Sequence, residues 1–163
     1  MSQQSSDLSV LHQWLQSAVE RGPIAIVSHK NGDMDTIGSA CALSHALGDS
    51  ARACGLHASS IAKRIVATTE ADFNLMDGDR PLWPRTLGSI VVVDAASPSQ
   101  VGMSFPEGVP ICAIDHHTGG ADWSSADLHF HWDCHSTAEM VFAYLDEFRT
   151  DSIDSSVRRL LLA

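Results

Sequence analysis

Three short, unbroken apolar runs constrain this chain most: Ile24-Ala25-Ile26-Val27, Ile90-Val91-Val92-Val93 and Ile111-Cys112-Ala113-Ile114. None alternates with polar residues, so none suits a strand with one wet face. Such runs suit strands covered on both faces, as in a parallel sheet. Parallel strands need crossovers, and the sequence between the runs supplies helical patterns. Leu8, Leu11, Leu15 and Ala18 recur at helical spacing over residues 7–20, and Gly22-Pro23 stops that helix. Residues 36–48 carry a second stripe of Ile37, Ala40, Cys41 and Leu47. Ser136 and Glu139 form an S-x-x-E capping box heading a helix that reaches Phe148. Residues 152–163 begin another helix, which ends on Leu160-Leu161-Leu162-Ala163 with no cap. An edge strand is expected near 61–66, a further strand at 128–132, and a turn at 77–81. The expected fold is α/β: a three-layer sandwich around a mostly parallel, Rossmann-like sheet.

Composition narrows the function classes. At 163 residues the chain is about one domain, and 44% hydrophobic with 18% charged residues is a globular balance. No apolar run approaches the ~18 residues a membrane span needs, and the N-terminus lacks a signal-peptide pattern. A membrane partner is not expected and a cytoplasmic setting is. The net charge of −10 repels polyanions unless cations intervene, so stable binding to duplex nucleic acid is not expected either. The four cysteines show no C-x-x-C spacing and read as reduced thiols.

The three runs end alike. The first leads into Ser28-His29, the second into Asp94, and the third into Asp115-His116-His117. Ligands of open parallel sheets bind beyond the carboxyl ends of the strands. After the first run, His29-Lys30-Asn31-Gly32-Asp33-Met34-Asp35 crowds one imidazole and two carboxylates together. Divalent cations neutralise such crowding, and carboxylate oxygen with imidazole nitrogen is an ordinary ligand set. Asp94 could bridge two ions roughly 3.5–4 Å apart. Singly, each group has a plainer role. Asp33 and Asp35 could form a turn or cap the helix starting near Thr36, Asp94 could cap a turn, and His116-His117 could be a buried pair. The joint pattern favours metal. His129, His131, Trp83, Trp123 and Trp132 read as surface or packing residues, while His135 stands near the capping Ser136.

Four ordered motifs carry a family resemblance. They are His29-x-x-x-Asp33-x-Asp35-x-x-Gly38-Ser39, Asp94 after a valine strand, Asp115-His116-His117, and Ser136-Thr137-Ala138-Glu139. Together they resemble the DHH phosphoesterase superfamily, which includes RecJ-type exonucleases, oligoribonuclease/pAp phosphatases, exopolyphosphatases and manganese-dependent inorganic pyrophosphatases. The resemblance implies that residues 1–163 form the N-terminal catalytic domain. It implies one metal held by His29, Asp33 and Asp94, and a second by Asp35, Asp94 and His116. His117 would contact the scissile phosphate, Asp115 would orient its neighbours, and Ser136 and Thr137 would offer a helix N-terminus to phosphate. Manganese is the implied ion, with magnesium also allowed.

The expected activity is hydrolysis of phosphodiester or phosphomonoester bonds by metal-activated water. Short oligonucleotides or pAp (3′-phosphoadenosine 5′-phosphate) are the expected substrates, and polyphosphate is the alternative. Family members continue into a Gly-Ile strand, an Asp-Thr pair with a further metal ligand, and a substrate-gripping C-terminal domain. The chain is expected to be truncated before these parts, which leaves the second metal one ligand short. A non-catalytic remnant or regulatory metal- or nucleotide-binding domain is therefore a competing expectation. A plain Rossmann-like nucleotide binder is disfavoured, because no G-x-G-x-x-G follows the first strand.

Overall fold

The computed structural model describes residues 2–163. The three apolar runs form the middle of a six-stranded sheet: β1 (Ile24–Ser28), β4 (Ser89–Val93) and β5 (Ile111–Asp115). Outside them lie β2 (Ala51–Gly55), β3 (Phe73–Leu75) and β6 (Leu128–His131). The strand order is β3-β2-β1-β4-β5-β6, and all five pairings are parallel. The direction of winding reverses between β1 and β4, which makes their carboxyl ends the topological switch point.

Right-handed crossovers decide what covers each face. Helices α1 (Gln3–Arg21), α2 (Met34–Leu47), α3 (Ser60–Val66), α4 (Thr137–Phe148) and α5 (Ser155–Leu162) all contribute to one core. Ile24, Ile26, Val91, Val93, Cys112 and Ile114 point into it from the sheet. The alternate residues Ala25, Val27, Ile90, Val92 and Ala113 point the other way, onto Val101, Met103 and Trp123. The connections β4–β5 and β5–β6 form this third layer. Their prolines and glycines (Pro98, Gly102, Pro106, Gly108, Pro110, Gly119, Gly120) forbid long helices, and only a 3-10 turn forms, at Pro98–Gln100. The fold is thus α/β with three layers around an all-parallel sheet.

The region between α2 and β4 departs from expectation. Residues 61–66 are helix rather than an edge strand, because Ser59 caps them by accepting from the Ala62 amide at 3.1 Å. The strand beside β1 is instead Ala51-Arg52-Ala53-Cys54-Gly55, whose small residues carry no strand signal. At the other end of the chain, α5 lies against α2 at Gly38. A Cβ there would stand 2.1 Å from the Leu160 carbonyl oxygen, so only glycine allows this approach. Among the described residues, no helix is long and apolar enough to cross a membrane.

Candidate metal centre

The loop from β1 to α2 is tied down before it presents any ligand. The Thr36 hydroxyl accepts from the His29 amide at 3.0 Å and donates to the Val93 carbonyl at 2.9 Å. This buried bridge fixes His29 beside the end of β4. Gly32 has φ of +60°, and a Cβ on it would lie 1.9 Å from the His57 carbonyl oxygen, so the turn demands glycine. Asp33 is the N-cap of α2: its Oδ1 accepts from the Thr36 amide at 3.1 Å. Its Oδ2 lies 3.2 Å from His29 Nε2. Capping and ligation therefore use different oxygens of one carboxylate and do not compete.

Asp94 is the hub. It is 3% exposed, and it is the one non-glycine among the described residues with positive φ, at 62°. Asp tolerates this region better than most residues, though at a cost of about 1 kcal/mol. Its amide donates to the Ile114 carbonyl at 2.9 Å, so the turn after β4 stays bound to β5. One oxygen, Oδ2, is 3.4 Å from His29 Nε2. The other, Oδ1, is 3.3 Å from His116 Nε2 and accepts from the Thr137 hydroxyl at 3.2 Å.

Asp35, on the first turn of α2, lies on the other side of His116. Its Oδ2 is 3.6 Å from His116 Nε2. The same carboxylate accepts from the Thr137 and Ala138 amides at 2.9 and 2.8 Å. The N-terminus of α4 thus holds an anion, and that anion is Asp35. Thr137, which with Ser136 is expected to offer a helix N-terminus to phosphate, here gives its amide to Asp35 and its hydroxyl to Asp94. Ser136 caps α4 by accepting from the Glu139 amide at 3.3 Å. Burial and the nearby charge of Asp94 push the Asp35 carboxyl up to about 6, despite the two amide bonds that favour its charged form.

The histidines differ in what holds them. His116 donates from Nδ1 to the Cys134 carbonyl at 3.1 Å, which leaves the Nε2 lone pair facing Asp35 and Asp94. His117 donates from Nδ1 to the fully buried Asp115 at 2.6 Å, and that bond, against a smaller burial effect, raises its pKa. His29 accepts from the Asn31 amide at its Nδ1, 3.1 Å away, so the neutral ring carries its proton on Nε2. Burial disfavours a charged His29 ring, but the hydrogen bonds and charges of Asp94 and Asp33 outweigh burial and raise its pKa.

His29, Asp33 and Asp94 offer ligand atoms within 4.8 Å of one another, as do Asp94, His116 and His117. These side chains come from three separate strand ends, and the fold brings all of them to one rim. The donor set fits divalent ions: carboxylate oxygens and imidazole nitrogens, with a shared carboxylate between two groups. The cluster opens into a cleft that Lys30, Asn31 and Gln100 also line.

Sequence reasoning did not foresee the Cys134 carbonyl, a backbone contact without any sequence signal. His131 is exposed, in keeping with its surface reading, and its ring donates to the His117 carbonyl at 2.9 Å. His135 stands outside the cluster, with its side chain 99% exposed.

Comparisons with known proteins follow the same lines. The structure resembles an exopolyphosphatase-related protein from Bacteroides fragilis, with a TM-score of 0.67 and 18% identity over 97% of this chain and 48% of that one. It also resembles a putative family II inorganic pyrophosphatase from Methanococcus jannaschii, with a TM-score of 0.61 and 21% identity over 85% of this chain and 46% of that one. The chain therefore spans about half the length of these structures. No curated protein matches it. The sequence model of the DHH family, N-terminal domain, matches residues 23–163. By that match the chain belongs to the DHH family.

Proposed function

We propose that this chain carries the metal centre of a phosphoesterase that hydrolyses phosphodiester or phosphomonoester bonds in short oligonucleotides or pAp. The observation that supports this most is Asp94. Its two oxygens face different imidazoles, His29 on one side and His116 on the other, as a carboxylate shared between two ions requires. His29, Asp33 and Asp94 would hold one ion, and Asp35, Asp94 and His116 the other. Manganese is favoured and magnesium is the alternative. When bound, the ions would supply Lewis-acid charge and an activated water.

The remaining work falls to the chain's own groups. Asp115 holds His117 with its proton on Nδ1, and that bond raises the ring's pKa, which enlarges the share of rings that also carry a proton on Nε2. Such a ring, partly open to the cleft, suits donation to a phosphoryl oxygen as charge develops there. Thr137 steadies Asp94, and the start of α4 steadies Asp35. Lys30 adds positive charge at the cleft. A cytoplasmic setting belongs to this reading, supported by four free cysteines.

Polyphosphate is the second reading, favoured by the shared fold with an exopolyphosphatase-related protein. The deciding assay gives the purified protein manganese or magnesium and offers pAp, a short oligoribonucleotide and polyphosphate in parallel. Manganese-dependent release of phosphate or mononucleotide from pAp or the oligonucleotide is expected. Turnover of polyphosphate alone moves the assignment to the second reading. Saturable metal binding with no turnover of any substrate leaves a regulatory metal-binding domain instead.

A further inference from the structure

The sheet's second face is thinly covered toward β2 and β3. β2 is an inner strand, yet Arg52 on it is exposed, and so is Asn74 on the adjoining β3. Inner strands of parallel sheets are normally apolar on both faces. Over β1–β3 the covering layer is the connection at residues 76–88, and a half-open pocket of about 440 Å³ lies between it and the sheet. Arg52, Cys54 and Asn74 line it from the sheet, and Arg80, Leu82 and Trp83 from the connection. It shares no lining residue with the cleft at the metal cluster.

The two arginines are the informative part. The chain has 20 acidic residues against 10 basic ones, so guanidinium groups have carboxylates to choose from. Yet every ion pair within 4.0 Å among the described residues involves histidine, and neither Arg52 nor Arg80 has a carboxylate partner. Arg52 makes one bond, to the Ala51 carbonyl at 2.9 Å. The one acid in the lining, Asp77, accepts from the Asp79 amide at 2.9 Å instead. Trp83 is anchored by its Nε1–H to the Ser104 carbonyl at 3.1 Å, so its ring is held in place at the wall. Asn74 gives its Nδ2–H to the Ala53 carbonyl at 3.0 Å, which leaves its oxygen to accept.

We propose that this cavity binds a small aromatic anion. A flat ring would pack against Trp83, Leu82 and Cys54, and a carboxylate, sulfonate or phosphate would meet the guanidinium of Arg52 or Arg80. The volume falls within the roughly 300–1,000 Å³ usual for small-molecule sites. Guanidinium suits planar oxyanions because its donors form a fixed fork.

The test titrates the protein with 1-anilinonaphthalene-8-sulfonate, a ring-bearing anion that fluoresces in apolar surroundings. One saturable site is expected. The paired change Arg52→Ala with Arg80→Ala should weaken it by about tenfold or more, and Trp83→Leu should weaken it as well. Asp94→Asn should leave it unchanged, which separates this site from the proposed metal centre. AMP and benzoate should displace the probe, and their relative strength identifies the preferred head group. Binding that does not saturate, that ignores the arginine changes, or that adenosine displaces as well as AMP does would overturn the proposal. Far-UV circular dichroism checks that the variants fold. If the paired variant does not, rising salt must weaken binding to the unaltered protein, and salt-independent binding refutes the site.

Discussion

The two halves of the Asp/His cluster share Asp94 but are built differently. On one side, His116 gives its Nδ1 proton to a carbonyl and keeps the Nε2 lone pair for an ion. Its carboxylate partner, Asp35, is 22% exposed and held by two amides. On the other side, His29 must move its proton to Nδ1, and the Asn31 amide must turn away, before Nε2 can ligate. Its partner, Asp33, is 60% exposed and held by a single amide. Preorganisation thus falls on the closed half, the one built from Asp35 and His116. The half built from His29 and Asp33 must rearrange before both of its donors can face an ion.

Removing the shared group should abolish the difference between the halves. Asp94→Asn keeps the shape and tolerates positive φ, but it lowers the charge seen by both imidazoles. Turnover should fall by about 10³-fold or more, and metal should no longer raise the melting temperature. Near-normal turnover in this variant would show that the two halves do not depend on a common carboxylate.

The next largest effect is on stability without metal, and it tests the closed half alone. Asp35 titrates at about 6 in the fold, against an ordinary 3.8. Between those values the folded chain holds a proton that the unfolded chain has lost. Stability from this group is therefore fully present below about 4 and is lost as pH rises through about 6, by up to ~3 kcal/mol. His29, also raised, acts in the same direction: its contribution is present below 6.5 and is lost as pH rises through its folded pKa. With metal chelated, melting temperature should drop from pH 5 to pH 8 more steeply than in Asp35→Asn. Equal slopes in the two proteins would remove the charge crowding from the account.

The sequence showed the sheet centre and the Asp/His cluster at its rim for one reason: both have a strong chemical contrast with their surroundings. Runs such as Ile90–Val93 cannot be loops, and Asp94 directly after one cannot be core without a partner. β2 went unseen because alanine, cysteine and glycine have little strand preference, and its place between β1 and β3 is set by packing from afar. α3 was misread because Ile61, Ile65 and Val66 look β-prone, while its cap, Ser59, precedes them quietly. Within the site, residue types were legible and partners were not. Nothing in the sequence says that α4 begins beside Asp35, since that follows from how α2 and α4 pack.

Two smaller substitutions sharpen the contrast by loosening the closed half from the α4 side. Thr137→Val removes the hydroxyl on Asp94 Oδ1 and leaves the amide on Asp35 in place. Metal affinity or turnover should fall by roughly 10–100-fold, the usual range for groups that orient ligands. Ser136→Ala should do less. It removes the oxygen that accepts from the Glu139 amide, which costs about 1 kcal/mol of stability and lets the first turn of α4 fray. That turn supplies both amides to Asp35, so metal binding should weaken by a small factor along with the melting temperature. A loss of stability with metal affinity wholly unchanged would mean that the Asp35 carboxylate is held by its place on α2 alone, and that the rigidity of the closed half comes from α2 rather than α4.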